Sequence, residues 1–356
     1  MQDDRFRDAF SILEKAIAAR AFPACSFAVT FRGELVACKA LGRFTYDPAS
    51  REVTTSTIFD LASLTKVLAT TAMAMILYER GLLDLEAPAT AIVPEFANSD
   101  PRRRDVTIRM LLAHSSGLPA YEKLFLRAKT REALLRATFA TPLAAAPGTR
   151  AAYSDIGFII LGVALTSLAD ESLDAFCQRE VFGPLGMTHT TFNPVHALKD
   201  SIPPTADDGS FRHRIIQGEV QDQNASVLGG VAPHAGLFST AEDLAIFAHA
   251  LLNGGHPILR PSTVELFSRR ESVPEGTSRA LGWDTPSASS QSGKYLSSRS
   301  FGHLGYTGTS LWIDPDRQLS ITLLTNRTWP DCENQAIKQV RPAFHDAVIE
   351  SLGKNA

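Results

Sequence analysis

Ser63 and Lys66 stand three positions apart where Phe59-Asp60-Leu61-Ala62 runs into a long apolar stretch that reaches Tyr78-Glu79-Arg80. Gly81 follows as a C′ stop, so the stretch reads as a helix beginning at the serine. Residues three apart on a helix share a face, which brings the hydroxyl and the amine into one pocket. A serine hydroxyl is a weak nucleophile until a base takes its proton. A lysine serves as that base only where burial or neighbouring positive charge disfavours its ammonium. The helix N-terminus helps on both counts, since its partial positive charge opposes the ammonium and stabilises an oxyanion. By itself S-x-x-K is a weak signal that a solvated helix face also produces.

Two further segments carry suitable groups. Tyr153-Ser154-Asp155 follows the loop Ala146-Pro147-Gly148-Thr149 and precedes an apolar helix, so its side chains can project from the junction. Phe301-Gly302-His303-Leu304-Gly305-Tyr306-Thr307-Gly308-Thr309 reads as a strand whose glycines admit a close backbone approach by a substrate.

The elements that must position these groups follow from periodicity and turn chemistry. Phe6, Phe10, Ile12, Leu13 and Ile17 mark an amphipathic first helix. Ala24 to Thr30 and Glu34 to Leu41 read as strands joined at Arg32-Gly33. Residues 82–200 are mostly helical in period, with proline loops; Thr107 is placed to cap Ile108 to Ala113, and Gly117-Leu118-Pro119 to end that helix. Asp155 to Leu168 reads as another helix. The Pro-, Gly- and Asp-rich stretch Ile202 to His234 reads as a long irregular connection, a feature that tends to be functional. Ser239-Thr240-Ala241-Glu242 matches a capping box for a helix ending at Gly254-Gly255. Ser310 to Ile313 and Leu319 to Thr325 flank a turn at Asp314-Pro315-Asp316, and a last helix spans Glu333 to Leu352. The expected fold is therefore α+β, with an antiparallel sheet built from both termini. Residues 1–75 and 230–356 form the lobe carrying the sheet, 76–229 a mostly helical lobe, and the ligand site lies in the cleft between them.

Composition narrows the partners. The chain has 356 residues, 44% apolar and 21% charged, with a net charge of −3. That is ordinary globular composition, and no nucleic-acid partner is expected. Arg102-Arg103-Arg104 is too short a run to mark a phosphate-binding patch and reads as solvated surface. No stretch approaches the ~20 apolar residues of a membrane span. The start, Met1-Gln2-Asp3-Asp4-Arg5-Phe6-Arg7, lacks the pattern of a secretory signal, so a cytoplasmic protein is expected unless a leader has been removed. Cys25, Cys38, Cys177 and Cys332 lack metal-ligand spacing and read as small thiols; a Cys25–Cys38 bridge requires matched strand registers.

Ser63/Lys66, Tyr153-Ser154-Asp155 and His303-Leu304-Gly305, in that order, resemble the penicillin-recognising serine hydrolases, within them the branch of class C β-lactamases, DD-peptidases, D-aminopeptidases and family VIII esterases. Leu111 to Leu118, Pro184-Leu185-Gly186-Met187 and His234-Ala235-Gly236-Leu237-Phe238-Ser239 also look like that family, and the likeness spans nearly the whole chain. The resemblance implies a β-lactamase/transpeptidase-like fold without metal or cofactor. It implies that Ser63 attacks an acyl carbonyl while Lys66 and Tyr153 share general-base and general-acid duty. The backbone N–H groups of Ser63 and Tyr306 would form an oxyanion hole, worth ~3 kcal/mol per donor, with His303 and Gly305 beside the substrate.

Two positions depart from the family pattern. Asp155 stands where many relatives carry Asn; it either pairs with Lys66, which would hold the lysine charged and move base duty to Tyr153, or caps a helix. His303 replaces the lysine of K-T-G, and a neutral imidazole holds a substrate carboxylate less well than an ammonium does. Esters or D-amino-acid amides and peptides are therefore expected ahead of β-lactams. A penicillin-binding-type sensor, or a weak β-lactamase or DD-peptidase with slow deacylation, is the alternative. The substrate is a small or peptide-like acyl compound; oligomeric state is not legible.

Other motifs are absent or secondary. No G-x-S-x-G occurs, since Gly308-Thr309-Ser310-Leu311-Trp312 fails at its last residue, and the nine histidines show no H-E-x-x-H. His114 reads as closing a helix, with substrate contact the other option. His234 reads equally as cleft contact or loop brace, Trp283 and Trp312 as core or cleft wall, and Arg327 as reaching the cleft or pairing with an acid. The pocket walls are expected from Ala120 to Arg127, Ile202 to Gly236 and Ser287 to Ser300.

Overall fold

A computed structural model describes residues 4–98 and 100–353. The stretch Met1-Gln2-Asp3 of the amino-terminal reading lies outside them. Among the described residues ten strands occur in chain order: β1 Ala24–Phe31, β2 Glu34–Gly42, β3 Phe59–Asp60, β4 Thr191–Phe192, β5 Ala206–Asp208, β6 Arg214–Ile216, β7 Leu237–Ser239, β8 Phe301–Leu304, β9 Ser310–Asp314 and β10 Leu319–Thr325. The main sheet has the order β2-β1-β10-β9-β8 and is antiparallel throughout, so it is assembled from both ends of the chain. Arg32 and Gly33 both take positive φ in the β1–β2 turn, which only the mirror-image hairpin turns require.

Period-two alternation explains how this sheet is buried on both faces. Phe27, Val29, Ile321, Leu323 and Trp312 point to one side, against Leu13 of the helix Arg7–Ala18 and Phe344 and Val348 of the helix Ile337–Leu352. Ala28, Leu324, Leu311 and Ile313 point to the other, into a larger core shared with the helices Ala72–Glu79, Asp155–Ala169 and Ala241–Leu252. Trp283 and Trp312 are both core residues.

Several elements differ from their sequence reading. The segment from Ser63 is not one regular α-helix: a 3-10 turn, Ala62–Leu64, leads into a widened π turn, Lys66–Thr71, and only then into Ala72–Glu79. Widened turns of this kind recur at functional sites. The stretch Ile202 to His234 contains the β5–β6 hairpin and the short helix Gln223–Val227. The helix Ala241–Leu252 is capped by Thr240, whose hydroxyl accepts the Asp243 N–H at 3.2 Å, because Ser239 is occupied as the last residue of β7. His114, in the left-handed region, ends the helix Ile108–Leu112 before Gly117 is reached. The last helix begins at Ile337, four residues late. All four cysteines are free, and Cys25 faces Leu41 while Cys38 faces Ala28, so the two strands are out of register for a bridge.

Among the described residues no single helix is long and apolar enough to cross a membrane. The helix Asp155–Ala169 is apolar because its residues Ile156 to Gly162 are buried in the core.

Candidate active site

Asp60 fixes the start of the Ser63 turn. Its Oδ1 accepts the Ala62 N–H at 2.8 Å and its Oδ2 accepts the Gln221 N–H at 2.7 Å. Ala62 has φ +46, a left-handed conformation costly for a residue with a Cβ, and the Asp60 carboxylate is one of the groups that hold it. Burial pushes the Asp60 carboxyl up to about 6, against the two N–H bonds that favour its charge.

Ser63 Oγ then lies between two groups: Lys66 Nζ at 3.0 Å and the Tyr153 hydroxyl, which donates to it at 2.6 Å. Lys66 is fully buried. Its ammonium donates to two acceptors, Ser63 Oγ and the His234 carbonyl at 2.9 Å, and forms an ion pair with Asp155 Oδ1 at 2.6 Å. Burial lowers the Lys66 pKa, while the Asp155 carboxylate opposes that shift. Burial, with Asp155 second, raises Tyr153 well above the usual phenol value, so Tyr153 is a neutral donor.

Asp155 is not the helix cap. Ser154 fills that role, its Oγ accepting the Gly157 N–H at 3.0 Å, and this leaves the Asp155 carboxylate for Lys66. The His234 carbonyl reaches Lys66 because Gly162 lets the loop close in: a Cβ there would lie 1.9 Å from Pro233 Cγ. The adjacent Pro233 carbonyl accepts from Thr70 at 2.7 Å. The His234 ring braces the loop through Asp222 at 2.9 Å.

His114 positions Tyr153. Its Nδ1 accepts the Ser154 N–H at 3.0 Å, and its ring lies 4.8 Å from that of Tyr153. Burial, and then the charges of Arg279 and Lys66, hold it neutral. His303 lies 5.9 Å from the Tyr153 ring. Its Nδ1 faces the Leu304 carbonyl at 2.8 Å, which places the proton on Nδ1 and leaves Nε2 a buried acceptor without a partner among the described residues. Burial, then Lys66 and Arg279, keep its pKa well below that of a free histidine. The side chain is uncharged at neutral pH.

Arginine side chains hold the carbonyls of the loop after β8. Arg341 takes those of Gly305 at 2.6 Å and Thr309 at 2.8 Å, and Arg327 takes that of Tyr306 at 2.7 Å. In a planar trans peptide the N–H points opposite the C=O, so anchoring the Gly305 carbonyl on Arg341 directs the Tyr306 N–H the other way. Gly305 packs against the Ser63 turn, where a Cβ would fall 1.9 Å from Thr309 Oγ1 and 2.5 Å from the Leu61 carbonyl. Thr307 and Thr309 tie the loop to the Asp60 and Leu61 carbonyls at 2.8 and 2.9 Å.

These groups open on a cleft of about 760 Å³. All three expected loops contribute walls, through residues such as Tyr121, Phe125, Gln221, Asp222, Ser289 and Gln291. Arg279, Arg327 and Arg341 also line it. Among the described residues Arg327 finds carbonyls and no acid. Arg279 lies 5.7 Å from the Tyr153 ring centroid and 3.6 Å from Asp284. Nothing in the sequence around Arg279 or Arg341 marks them, because only tertiary packing brings them here. Among the described residues no group of three or more His, Cys, Asp or Glu could hold a metal ion.

An antiparallel sheet flanked by helices, with Ser63, Lys66 and Tyr153 meeting beside it, defines a class, and comparison with known proteins gives it a name. Residues 10–342 match the Beta-lactamase family, and the chain belongs to that family of hydrolases. A protein of Salmonella agona (strain SL483), provisionally named a D-alanyl-D-alanine carboxypeptidase, is 34% identical over 310 residues, covering 77% of this chain and 70% of its own length. The N-acetylmuramyl-L-alanine amidase of Bacillus subtilis (strain 168) is 32% identical over 362 residues, covering 91% of this chain and 81% of its own. In fold the chain is similar to EstCE1, a hydrolase with promiscuous acyltransferase activity. That likeness has a TM-score of 0.81 at 22% identity and covers 97% of this chain and 99% of EstCE1.

Proposed function

We propose that the protein is a serine hydrolase that forms an acyl-enzyme on Ser63 from carboxylic esters or D-amino-acid amides and peptides. The observation that carries this reading is Ser63 Oγ held between Lys66 Nζ and the Tyr153 hydroxyl, at 3.0 and 2.6 Å. The site lies in the cleft between a sheet-bearing lobe, residues 1–75 and 230–356, and a mostly helical lobe, 76–229.

In acylation the unprotonated form of Lys66 takes the Ser63 proton as Oγ bonds to the carbonyl carbon. The oxyanion meets the Ser63 and Tyr306 N–H groups. On collapse the bond to the leaving alcohol or amine breaks, and Tyr153, kept neutral by its raised pKa, supplies the leaving group's proton. The proton held on Lys66 then returns to the tyrosinate. Water reverses the steps and frees the acid. The sequence leads one to expect that an Asp155–Lys66 pair moves base duty to Tyr153. Burial outweighs that pair, however, and favours the neutral form of both residues, which is the basic form only for lysine, so base duty falls to Lys66. Asp155 sets how readily Lys66 loses its proton. The relatives named as a carboxypeptidase and an amidase favour amides among these substrates. The uncharged His303 argues against efficient β-lactam turnover.

Steady-state assays of the wild type and Ser63→Ala on a p-nitrophenyl ester, a D-alanyl p-nitroanilide and a chromogenic cephalosporin test the reading. Ester or anilide turnover lost in Ser63→Ala is expected. Fast cephalosporin turnover with neither of the others would sink it, and stable acylation by the cephalosporin would favour the sensor alternative.

A further inference from the structure

Asp222 makes its two hydrogen bonds through a single oxygen. Its Oδ1 accepts the Ala225 N–H at 2.7 Å, capping the helix Gln223–Val227, and meets His234 Nε2 at 2.9 Å. Among the described residues its Oδ2 has no hydrogen-bond partner. The side chain retains 19% exposure and lines the cleft. Burial works to raise its pKa, but His234, the Ala225 N–H and the Lys66 charge hold it below the usual carboxylate value.

The other two carboxylates of the cleft are neutralised. Asp155 has Lys66 at 2.6 Å, and Asp284 has Arg279 at 3.6 Å and the Ser278 hydroxyl at 2.7 Å. Among the described residues no lysine or arginine pairs with Asp222, and its one ion-pair partner, His234, is a cation only when its ring is protonated. Lys66 is already committed to Ser63, the His234 carbonyl and Asp155. Asp222 is also close to the reacting centre, because the Asp60 carboxylate that holds the Ala62 N–H, one residue before Ser63, also holds the Gln221 N–H, one residue before Asp222.

A mostly buried, ionised oxygen beside a substrate site is stabilised best by a charged donor that the ligand brings. We propose that Asp222 is a specificity-determining residue that binds a free ammonium group on the substrate, next to the scissile carbonyl. The inference rests on the acyl-enzyme reading and narrows it: aminoacyl esters and amides with a free amine are preferred over their N-acylated forms.

The test compares kcat/KM for D-alanyl p-nitroanilide and N-acetyl-D-alanyl p-nitroanilide, in the wild type and in Asp222→Asn, which keeps the Oδ1 acceptor. The wild type should favour the free amine at least about ten-fold, and Asp222→Asn should shrink that ratio by about ten- to hundred-fold, the range of a charge-assisted hydrogen bond. The wild-type preference should fade as pH passes the amine pKa, roughly 8. A purely structural Asp222 lowers both substrates alike, and an unchanged ratio would overturn the proposal. A second measurement needs no variant: D-alaninol should slow fluorophosphonate labelling of wild-type Ser63 at concentrations about ten-fold below those of N-acetyl-D-alaninol. Equal protection would overturn the proposal. Turnover of p-nitrophenyl acetate with equal rates on the two anilides would sink Asp222 alone, whereas no turnover of any of the three would sink the acyl-enzyme reading with it.

Discussion

Replacing Asp155 by Asn exchanges a carboxylate 2.6 Å from Lys66 Nζ for a neutral amide and leaves the Ser154 cap in place. Lys66 would keep the Ser63 hydroxyl and the His234 carbonyl, which carry only partial charge. An opposite charge at this range supports a pKa by about one to three units, so its loss lowers Lys66 by that amount. Asp155 also raises Tyr153, so that pKa falls too. Both limbs of the kcat/KM profile therefore move to lower pH, the acid limb by about one to three units. Stability responds with a definite sign. The unfolded lysine keeps its proton to the ordinary value of 10.5, the folded one releases it earlier, and stability rises with pH wherever the unfolded chain binds more protons. The cost of the substitution is thus greatest at low pH, about 3–5 kcal/mol for a buried charge left without its partner, and it shrinks as Lys66 deprotonates. Profiles on a p-nitrophenyl ester, with urea unfolding at acid and alkaline pH, measure both effects. An unshifted acid limb and a pH-independent cost below about 1 kcal/mol would refute the electrostatic role and make Asp155 an ordinary first-turn residue.

Asp60 gives the opposite slope. Its folded pKa of about 6 exceeds the ordinary 3.8, so the folded state holds the proton longer and stability falls by about 3 kcal/mol as pH rises through that window. Asp60→Asn should remove this component, which the difference between wild-type and variant unfolding at pH 4 and 7 reads directly. Gly305→Ala puts a Cβ 2.5 Å from the Leu61 carbonyl and displaces the Tyr306 N–H; kcat should fall about 10²–10³-fold, and a normal kcat would remove Tyr306 from the oxyanion site.

The parts of the site legible in the sequence are those carried by local spacing. Ser63 and Lys66 meet as three-residue spacing requires, although the turn is 3-10 and π rather than α, because the Asp60 carboxylate and the left-handed Ala62 leave no pattern. Asp155 could not be assigned from its type, since an aspartate serves both as cap and as ion-pair partner; the deciding fact is that Ser154 takes the cap. The sheet was legible because β1, β2, β9 and β10 are hydrophobic segments bounded by turn residues. The β5–β6 hairpin was not, because its sequence has the composition of a loop and Arg212, which pairs with Asp208, organises it. Arg279, Arg341 and Asp222 reach the cleft from separate segments, and only the folded chain brings them together.

The central claim is a covalent acyl bond to Ser63, and mass spectrometry of the intact protein tests it most directly. Wild type and Ser63→Ala would be quenched in acid during turnover of a slow p-nitrophenyl ester, then digested to locate any adduct. The account predicts a mass increase of one acyl group on the peptide bearing Ser63, absent in a folded Ser63→Ala that no longer turns over. Turnover by Ser63→Ala at the wild-type rate, or an acyl group on another residue, would contradict it.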